Sequence, residues 1–400
     1  MTDKRYWLWL QMCLGEGARF KEIIDEFGSV EKLYHANIIE WKMSASLTPK
    51  QVMSLQKYAL NDTERIIYEC ENNHWQIICF DDEKYPDRLR EISNPPAVLY
   101  VDGVMADFDD YVTIGIVGTR KASPYAKKAA FIMSKGVSLC GALTVSGGAL
   151  GVDSSAHRGS LAVHKKTYAV LGCGLGTGYL QVNQQLRNDI KANGGALITE
   201  FPPFTRASKY TFPIRNRIIS GLSLGVLVVE AGVKSGSLIT AKYATEQGRD
   251  IYAVPASVFD YNFYGSNKLI DDGAVVATSP SILIEGYAER FGTLDMSQIK
   301  TVRELLEAQE DKSANAQPAA QYTFDNIAKD RAAEVSKDRK ILELVGDEKT
   351  LYNVLSDKFD TIDAVIEKSG MESKRVLVAL TMLEMKGIIE TASGKRYRLK

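Results

Sequence analysis

The chain predicts an α/β fold: a Rossmann-like, doubly wound, mostly parallel sheet, with a small helical domain before it and a winged helix after it. Three observations carry this. From Tyr111 to Val254, short apolar runs rich in β-branched residues alternate with helical patterns, and glycine turns join them. Residues 6 to 72 read as a series of short helices. From Ile362 onward the pattern is helix, turn, helix, then two short strands around Ser393-Gly394.

Four hundred residues exceed one ordinary core, so roughly two or three domains are expected. The divisions predicted are a helical domain at 1–72, a sheet domain at 73–295, a linker at 296–335 and a winged helix at 336–400. Hydrophobic content of 45% and charged content of 25% fit a globular protein. Net charge is -1, so any nucleic-acid site must be a local patch. Cys13, Cys70, Cys79, Cys140 and Cys173 are dispersed, with no Cys-x-x-Cys pair and no nearby histidine, which argues against a structural metal. Scattered cysteines suit a reducing cytosol. Tyr6-Trp-Leu-Trp-Leu10 is too short for a signal-peptide core, and no run approaches a membrane span. A cytoplasmic location is expected, with no cofactor.

In chain order, Tyr6–Leu14, Arg19–Phe27 and Val30–His35 read as helices, with Ser29 capping the third. The glycine turn Gly15-Glu-Gly17 between two of them is similar to a SAM-like or helix-hairpin-helix module, where backbone N–H groups meet DNA phosphate. A plain helical cap for the next domain is the other reading. Trp75–Phe80 and Val98–Val101 are expected strands flanking a short helix at Leu89–Ile92. The buried strands are drawn at Val112–Val117, Leu143–Ser146, Tyr168–Leu171, Leu197–Thr199, Val226–Val229 and Ile251–Val254. Helices are drawn at Pro124–Cys140, Asp153–Val163, Asn183–Asn193, Ile218–Leu222 and Leu238–Gln247. Ser123 and Pro124 occupy the N-cap and first positions of the first of these. Past Gly286 the patterning fades into an Ala/Gln/Asn/Pro stretch at Ser313–Gln321, with one loose helix at Val302–Gln309. The tail should hold helices at Lys340–Val345, Ile362–Lys368 and Glu372–Lys386. Strands at Gly387–Glu390 and Arg396–Leu399 would complete it.

Ligands of such a sheet bind at the carboxyl ends of its strands, which places the chemistry in the turns. The first turn is Gly118-Thr-Arg-Lys-Ala-Ser123, the second Ser146-Gly-Gly-Ala-Leu-Gly151 and the third Gly172-Cys-Gly-Leu-Gly-Thr-Gly178. Glycine lets backbone approach an anion, and the helix that follows offers free N–H groups. Ser235-Gly236-Ser237 opens a further helix in the same way. None matches the dinucleotide or P-loop spacing. Glu230 stands either against a ribose or as a structural cap. Asp153 and His157, one helical turn apart, are read as a helix-cap aspartate and a packing histidine rather than an acid–base pair. No nucleophile with a matching base is visible, so no catalytic residue is assigned.

The stretch from Tyr210 to Ser223 is the most distinctive. It is expected to run as a loop into a helix at Ile218, leaving Phe212, Arg215, Asn216 and Arg217 to meet something outside the core. An aromatic interleaved with guanidinium groups suits a single nucleic-acid strand, ring on base and cation on phosphate. A capped helix with a solvated basic end is the alternative. In the tail, Lys374, Arg375, Lys395, Arg396, Arg398 and Lys400 favour nucleic acid, while the apolar Val376, Leu377, Leu380, Leu383 and Met385 favour protein docking.

Together these stretches resemble the DprA/Smf family of DNA processing proteins. The matching segments are Gly118-Thr-Arg-x-x-Ser123, Val145-Ser-Gly-Gly-Ala-x-Gly-Val-Asp-x-x-Ala-His157, Val170-Leu-Gly-x-Gly174, Phe212-Pro-x-Arg-Asn-Arg-Ile-Ile-x-Gly-Leu-Ser223, Val228-Val-Glu-Ala231, Ser235-Gly-Ser-Leu-x-Thr-Ala241, Ala253-Val-Pro255 and Gly265-Ser-Asn-x-Leu-Ile270. The resemblance is densest from Gly118 to Gly273. It implies a non-enzymatic binder of single-stranded DNA that loads the RecA recombinase, in natural transformation or recombinational repair, and works as a homodimer through the Rossmann-like domain. Family DNA contacts carry over to Arg120, Lys209 and Phe212. Ser146, Gly147 and Gly148 would be backbone donors to phosphate, with Gly118, Thr119, Ser123, Arg215, Asn216 and Arg217 completing the expected site. The chain departs from the family at Thr177-Gly-Tyr-Leu180, at Leu150 where a basic residue is common, and at Ala256.

Two other classes compete. A nucleotide phosphoribohydrolase requires a Gly-Gly-x-Gly-Thr-x-x-Glu run, which this sequence lacks. A winged-helix regulator requires polar base-reading residues, which Glu372–Lys386 mostly lacks.

Overall fold

The computed structural model describes residues 2–179, 181–307, 344, 346–356, 359–386, 388–392 and 396–399. Two compact units divide the chain, residues 1–313 and 314–400.

The first unit is built on nine strands: β1 (Gln76–Cys79), β2 (Val98–Gly103), β3 (Thr113–Val117), β4 (Leu143–Ser146), β5 (Thr167–Val170), β6 (Ala196–Thr199), β7 (Gly225–Val228), β8 (Asp250–Ala253) and β9 (Val275–Val276). They lie in the order β1-β2-β6-β5-β4-β3-β7-β8-β9. From β6 to β9 every neighbouring pair is parallel. β1 and β2 extend the sheet antiparallel beyond β6.

Alternation along the strands sends successive residues to opposite faces. Val226 and Val228 pack with Ile218, Ile219 and Leu222 on one face. Leu227 and Val229 pack with Ala126, Ala130 and Ala156 on the other. Burial on both faces explains why these strands read as continuous apolar runs.

The strands and most helices fall within a residue or two of their expected positions. The main exception is the helix expected at Ile218–Leu222, which starts at Thr211. Pro213 therefore lies in the first helical turn, where a missing N–H breaks no intrahelical bond. The helix Tyr264–Asp271 and strand β9 have no counterpart among the expected elements.

The N-terminal helices Lys4–Leu14, Lys21–Phe27, Val30–His35, Ile38–Met43, Pro49–Lys57 and Glu64–Asn72 bury Trp7, Leu8, Trp9 and Leu10 in one cluster with Tyr100, Ala169 and Leu171 of the sheet. Ser29 caps its helix as expected, accepting from the Lys32 amide at 3.1 Å. The Gly15–Gly17 turn meets the sheet domain at Gly17. The Gly17 amide donates to Glu200 Oε1 at 3.0 Å, and its carbonyl accepts from Asn94 at 2.7 Å. That amide is engaged inside the protein rather than held out for a phosphate.

The second unit holds helices Asp347–Val354, Ile362–Ser369 and Ser373–Met385, with β10 (Asp360–Thr361), β11 (Ile389–Ala392) and β12 (Arg396–Leu399). The strands form an antiparallel sheet in the order β10-β12-β11. Leu351, Val365, Val376, Leu380, Leu383 and Tyr397 make its core. Residues 302–307 are helical. The Ala/Gln/Asn/Pro stretch of the expected linker at Ser313–Gln321, the helix start at Lys340–Val345 apart from Leu344, the hairpin tip at Ser393-Gly394 and the basic residues Lys395 and Lys400 lie outside the described residues.

Candidate nucleic-acid interface

β3 and β7 are neighbours, yet from β3 the chain winds outward through β4, β5 and β6, then returns to β7 and leaves the other way. Their boundary is the topological switch point, where open α/β sheets bind ligands beyond the strand carboxyl ends. A cleft of about 370 Å³ opens there. Gly118, Thr119 and Arg120 line it from the first turn, and Ala149 and Asp153 from the second. Phe212, Arg215, Asn216 and Ile219 line it from the helix Thr211–Leu222, and Ser235, Gly236, Ser237 and Thr240 from the turn and helix after β7.

The mouth of the cleft carries the chemistry. Arg120 is exposed, and its guanidinium carbon lies 4.3 Å from the centroid of the half-buried Phe212 ring. Gly172 of the third turn lies against that ring: a Cβ there would fall 2.7 Å from Phe212 Cδ1. Tyr179 meets the same ring at 5.7 Å between centroids, tilted by 47°. Gly118 is required by close approach, since a Cβ would fall 2.6 Å from Val152. Lys209 is exposed just before the helix, with its ammonium 5.0 Å from the Tyr210 ring, outside the lining of the cleft.

Several of the expected residues are buried. Ser146, Gly147 and Gly148 are buried and do not line the cleft. Ser146 Oγ donates to the Ile116 carbonyl at 2.6 Å. The Gly147 carbonyl accepts from Arg215 at 2.7 Å, and that of Gly148 from Asn183 at 3.1 Å. Ser123 caps its helix through the Ala126 amide and donates to Glu230 Oε2 at 2.6 Å. Glu230, 1% exposed, also accepts from the Ser123 amide, so it braces the first turn.

Arg215, Asn216 and Arg217 were expected to face outward, and all three are buried. Arg215 ties the helix to the ends of β4 and β5 through the carbonyls of Gly147 and Val170. Asn216 accepts from Arg215 at 3.1 Å and donates to the Gly236 carbonyl at 3.1 Å, joining the helix to the turn after β7. Arg217 pairs with Glu200 at 2.6 Å, each side chain 3% exposed. Sequence could not show this, because the carboxylate that takes the arginine lies on another element.

Burial pushes the Asp153 carboxyl above its ordinary value, against the pull of Arg215, and pushes Arg215 below its own, against the pull of Asp153. His157 is fully buried, with Nδ1 2.8 Å from Thr167 Oγ1. Desolvation lowers its pKa to about 3, so it is neutral at pH 7 and packs as expected.

Comparison with known proteins gives the family of the chain. Residues 76–288 match the family model of DNA recombination-mediator protein A. The chain belongs to the DNA recombination-mediator protein A family. Residues 335–395 match the DprA winged helix domain. The chain is 32% identical over 354 residues to Protein Smf of Escherichia coli K12, an alignment spanning 88% of this chain and 85% of that protein. It is 43% identical over 208 residues to DNA processing protein DprA of Bacillus subtilis, spanning 52% of this chain and 70% of that relative. The X-ray structure of DprA from Streptococcus pneumoniae matches with a TM-score of 0.62 at 28% identity, covering 73% of this chain and 99% of that one.

In this DprA-family chain the winged helix domain has its basic residues partly engaged. Arg375 pairs with Asp347 at 2.6 Å, Lys386 with Glu348 at 2.6 Å and Arg398 with Glu390 at 2.7 Å. The helix Ser373–Met385 exposes Leu377, Val378, Met382 and Met385. Among the described residues, no helix of the DprA-family chain is long and apolar enough to cross a membrane, and no group of metal-ligating side chains is gathered. Val117, Ile219 and Thr240 also line the cleft and were not expected there. Ile219 reads as a core residue in sequence because its neighbours Ile218 and Leu222 are.

Proposed function

We propose that this DprA-family protein binds single-stranded DNA at the switch-point cleft without catalysing a reaction, and loads the RecA recombinase onto it. Arg120 and Lys209 take phosphates, and Phe212 stacks under a base. Gly118 and Thr119 let the backbone approach the strand at the first turn. Arg215, Asn216 and Arg217 hold the ring and cations in place. The observation that carries the reading is the Arg120–Phe212 pair at the mouth of a cleft that lies where this fold binds ligands. A homodimer formed through the Rossmann-like domain, and a role in transformation or recombinational repair, belong to the same proposal. So does the division of the chain at 72, 295 and 335.

The test is fluorescence anisotropy of a labelled oligo-dT titrated at several salt concentrations, with wild type beside Lys209→Glu. Tight binding that weakens with salt and collapses in the variant supports the assignment. Wild type that fails to bind, or a variant that binds equally well, overturns it. RecA loading is then measured as recombinase filament formation on protein-coated strand.

A further inference from the structure

The cleft has a floor as well as a mouth, and the floor carries a carboxylate. Asp153 lines it while 6% exposed, on the helix that follows the second glycine turn. Its Oδ2 accepts from the Ala149 amide at 3.3 Å, a long bond that leaves the group with acceptor capacity. Ser146, beside it, turns its hydroxyl toward the Ile116 carbonyl. A strand running over Arg120 and Phe212 needs no carboxylate for its phosphates, which a negative group repels. A buried carboxylate in the lining of a cleft that also holds an aromatic ring is placed instead to meet the edge of an inserted base.

Resting on the proposed single-strand reading of this cleft, we infer that Asp153 reads the base and favours one that presents an exocyclic amino group, cytosine or adenine, over thymine. A carboxylate accepts from cytosine N4. Thymine offers it a single N3–H flanked by two carbonyl oxygens, which oppose the approach of a negative acceptor. With Oδ2 already engaged, a single amino donor suffices. The Arg215 guanidinium, held by the carbonyls of Gly147 and Val170, attracts the carboxylate.

The experiment uses the full chain and anisotropy at one salt concentration, with oligo-dC, oligo-dT and an oligomer of 2-pyrimidinone deoxyriboside, which is cytosine without its 4-amino group. Oligo-dC should bind about fivefold or more tighter than oligo-dT, the lower end of a base-edge contact. The 2-pyrimidinone strand should lose that advantage, and Asp153→Asn should bring the dC-to-dT ratio close to one. Equal binding of dC and dT, or a dC preference that survives removal of the amino group, overturns the inference. That arm uses wild type alone, so it decides even if Asp153→Asn does not fold. Failure to bind any of the strands would instead overturn the single-strand reading, and the inference with it.

Discussion

Replacing Phe212 with alanine separates the stacking half of the proposed contact from the ionic half. In the free protein the Arg120 guanidinium already covers the ring at 4.3 Å. A base that stacks on that face displaces it and forgoes a cation–π contact of about 0.5–1 kcal/mol. Stacking of a base on an aromatic ring contributes about 1–3 kcal/mol. Central values of about 2 and about 0.75 kcal/mol leave a net contribution of about 1.25 kcal/mol, a roughly eightfold loss of affinity in Phe212→Ala. Arg120 keeps its charge in that variant, so the slope of log affinity against log salt should not move. Arg120→Ala should do the reverse: it bares the ring but removes one phosphate contact, flattening the slope by about 0.7. Anisotropy on oligo-dT across a salt series reads both quantities from one data set. The reasoning is refuted if Phe212→Ala binds like wild type, or if it changes the slope while Arg120→Ala leaves the slope alone.

Three further outcomes follow from the packing around the cleft. Arg217→Met strands Glu200 as a buried charge without its arginine, and should lower unfolding free energy by about 3–5 kcal/mol in urea melts; an unchanged midpoint would show that the pair is not the brace described. Gly172→Ala places a methyl group 2.7 Å from the Phe212 ring and should weaken oligo-dT binding through displacement of that ring, with the salt slope retained. His157 has a folded pKa of about 3 against an ordinary 6.5, so the unfolded chain binds its proton first as pH falls. Its contribution is fully present above pH 6.5 and should be lost at about 1.4 kcal/mol per unit from there down to about pH 3, a slope that His157→Asn removes when melts at pH 7 and pH 5 are compared.

The sheet was legible because its strands are buried on both faces and β3, β4 and β5 run into glycine turns; β3 to β8 fall within a residue of their expected positions. What could not be read was strand order, since nothing local says that β7 returns beside β3. Strand order is what brings Gly118, Thr119 and Arg120 against Ser235, Gly236 and Ser237 and so makes one cleft of separate turns. The Ser146-Gly147-Gly148 turn shows the converse. Its glycines read as a phosphate nest, and tertiary packing gives Gly147 a second reason to lack a side chain: Arg215 and Asp153 atoms would lie 2.4 and 2.5 Å from a Cβ there.

The Tyr210–Ser223 stretch contains its own correction. Starting the helix at Ile218 leaves the residues before it without a phase. With the helix started at Thr211, Phe212, Arg215, Asn216 and Ile219 fall at i, i+3, i+4 and i+7, one face of a single helix. Those four are the residues this helix contributes to the cleft. Arg217, off that face, meets Glu200, and Ile218 and Leu222 enter the core. Helical phase thus separates one arginine at the cleft from one spent inside the protein, a distinction that composition cannot make. It also explains how a chain of net charge -1 can present a cationic site: Arg120 and Lys209 remain exposed, while Arg215 and Arg217 hold the helix that sets the Phe212 ring beside them.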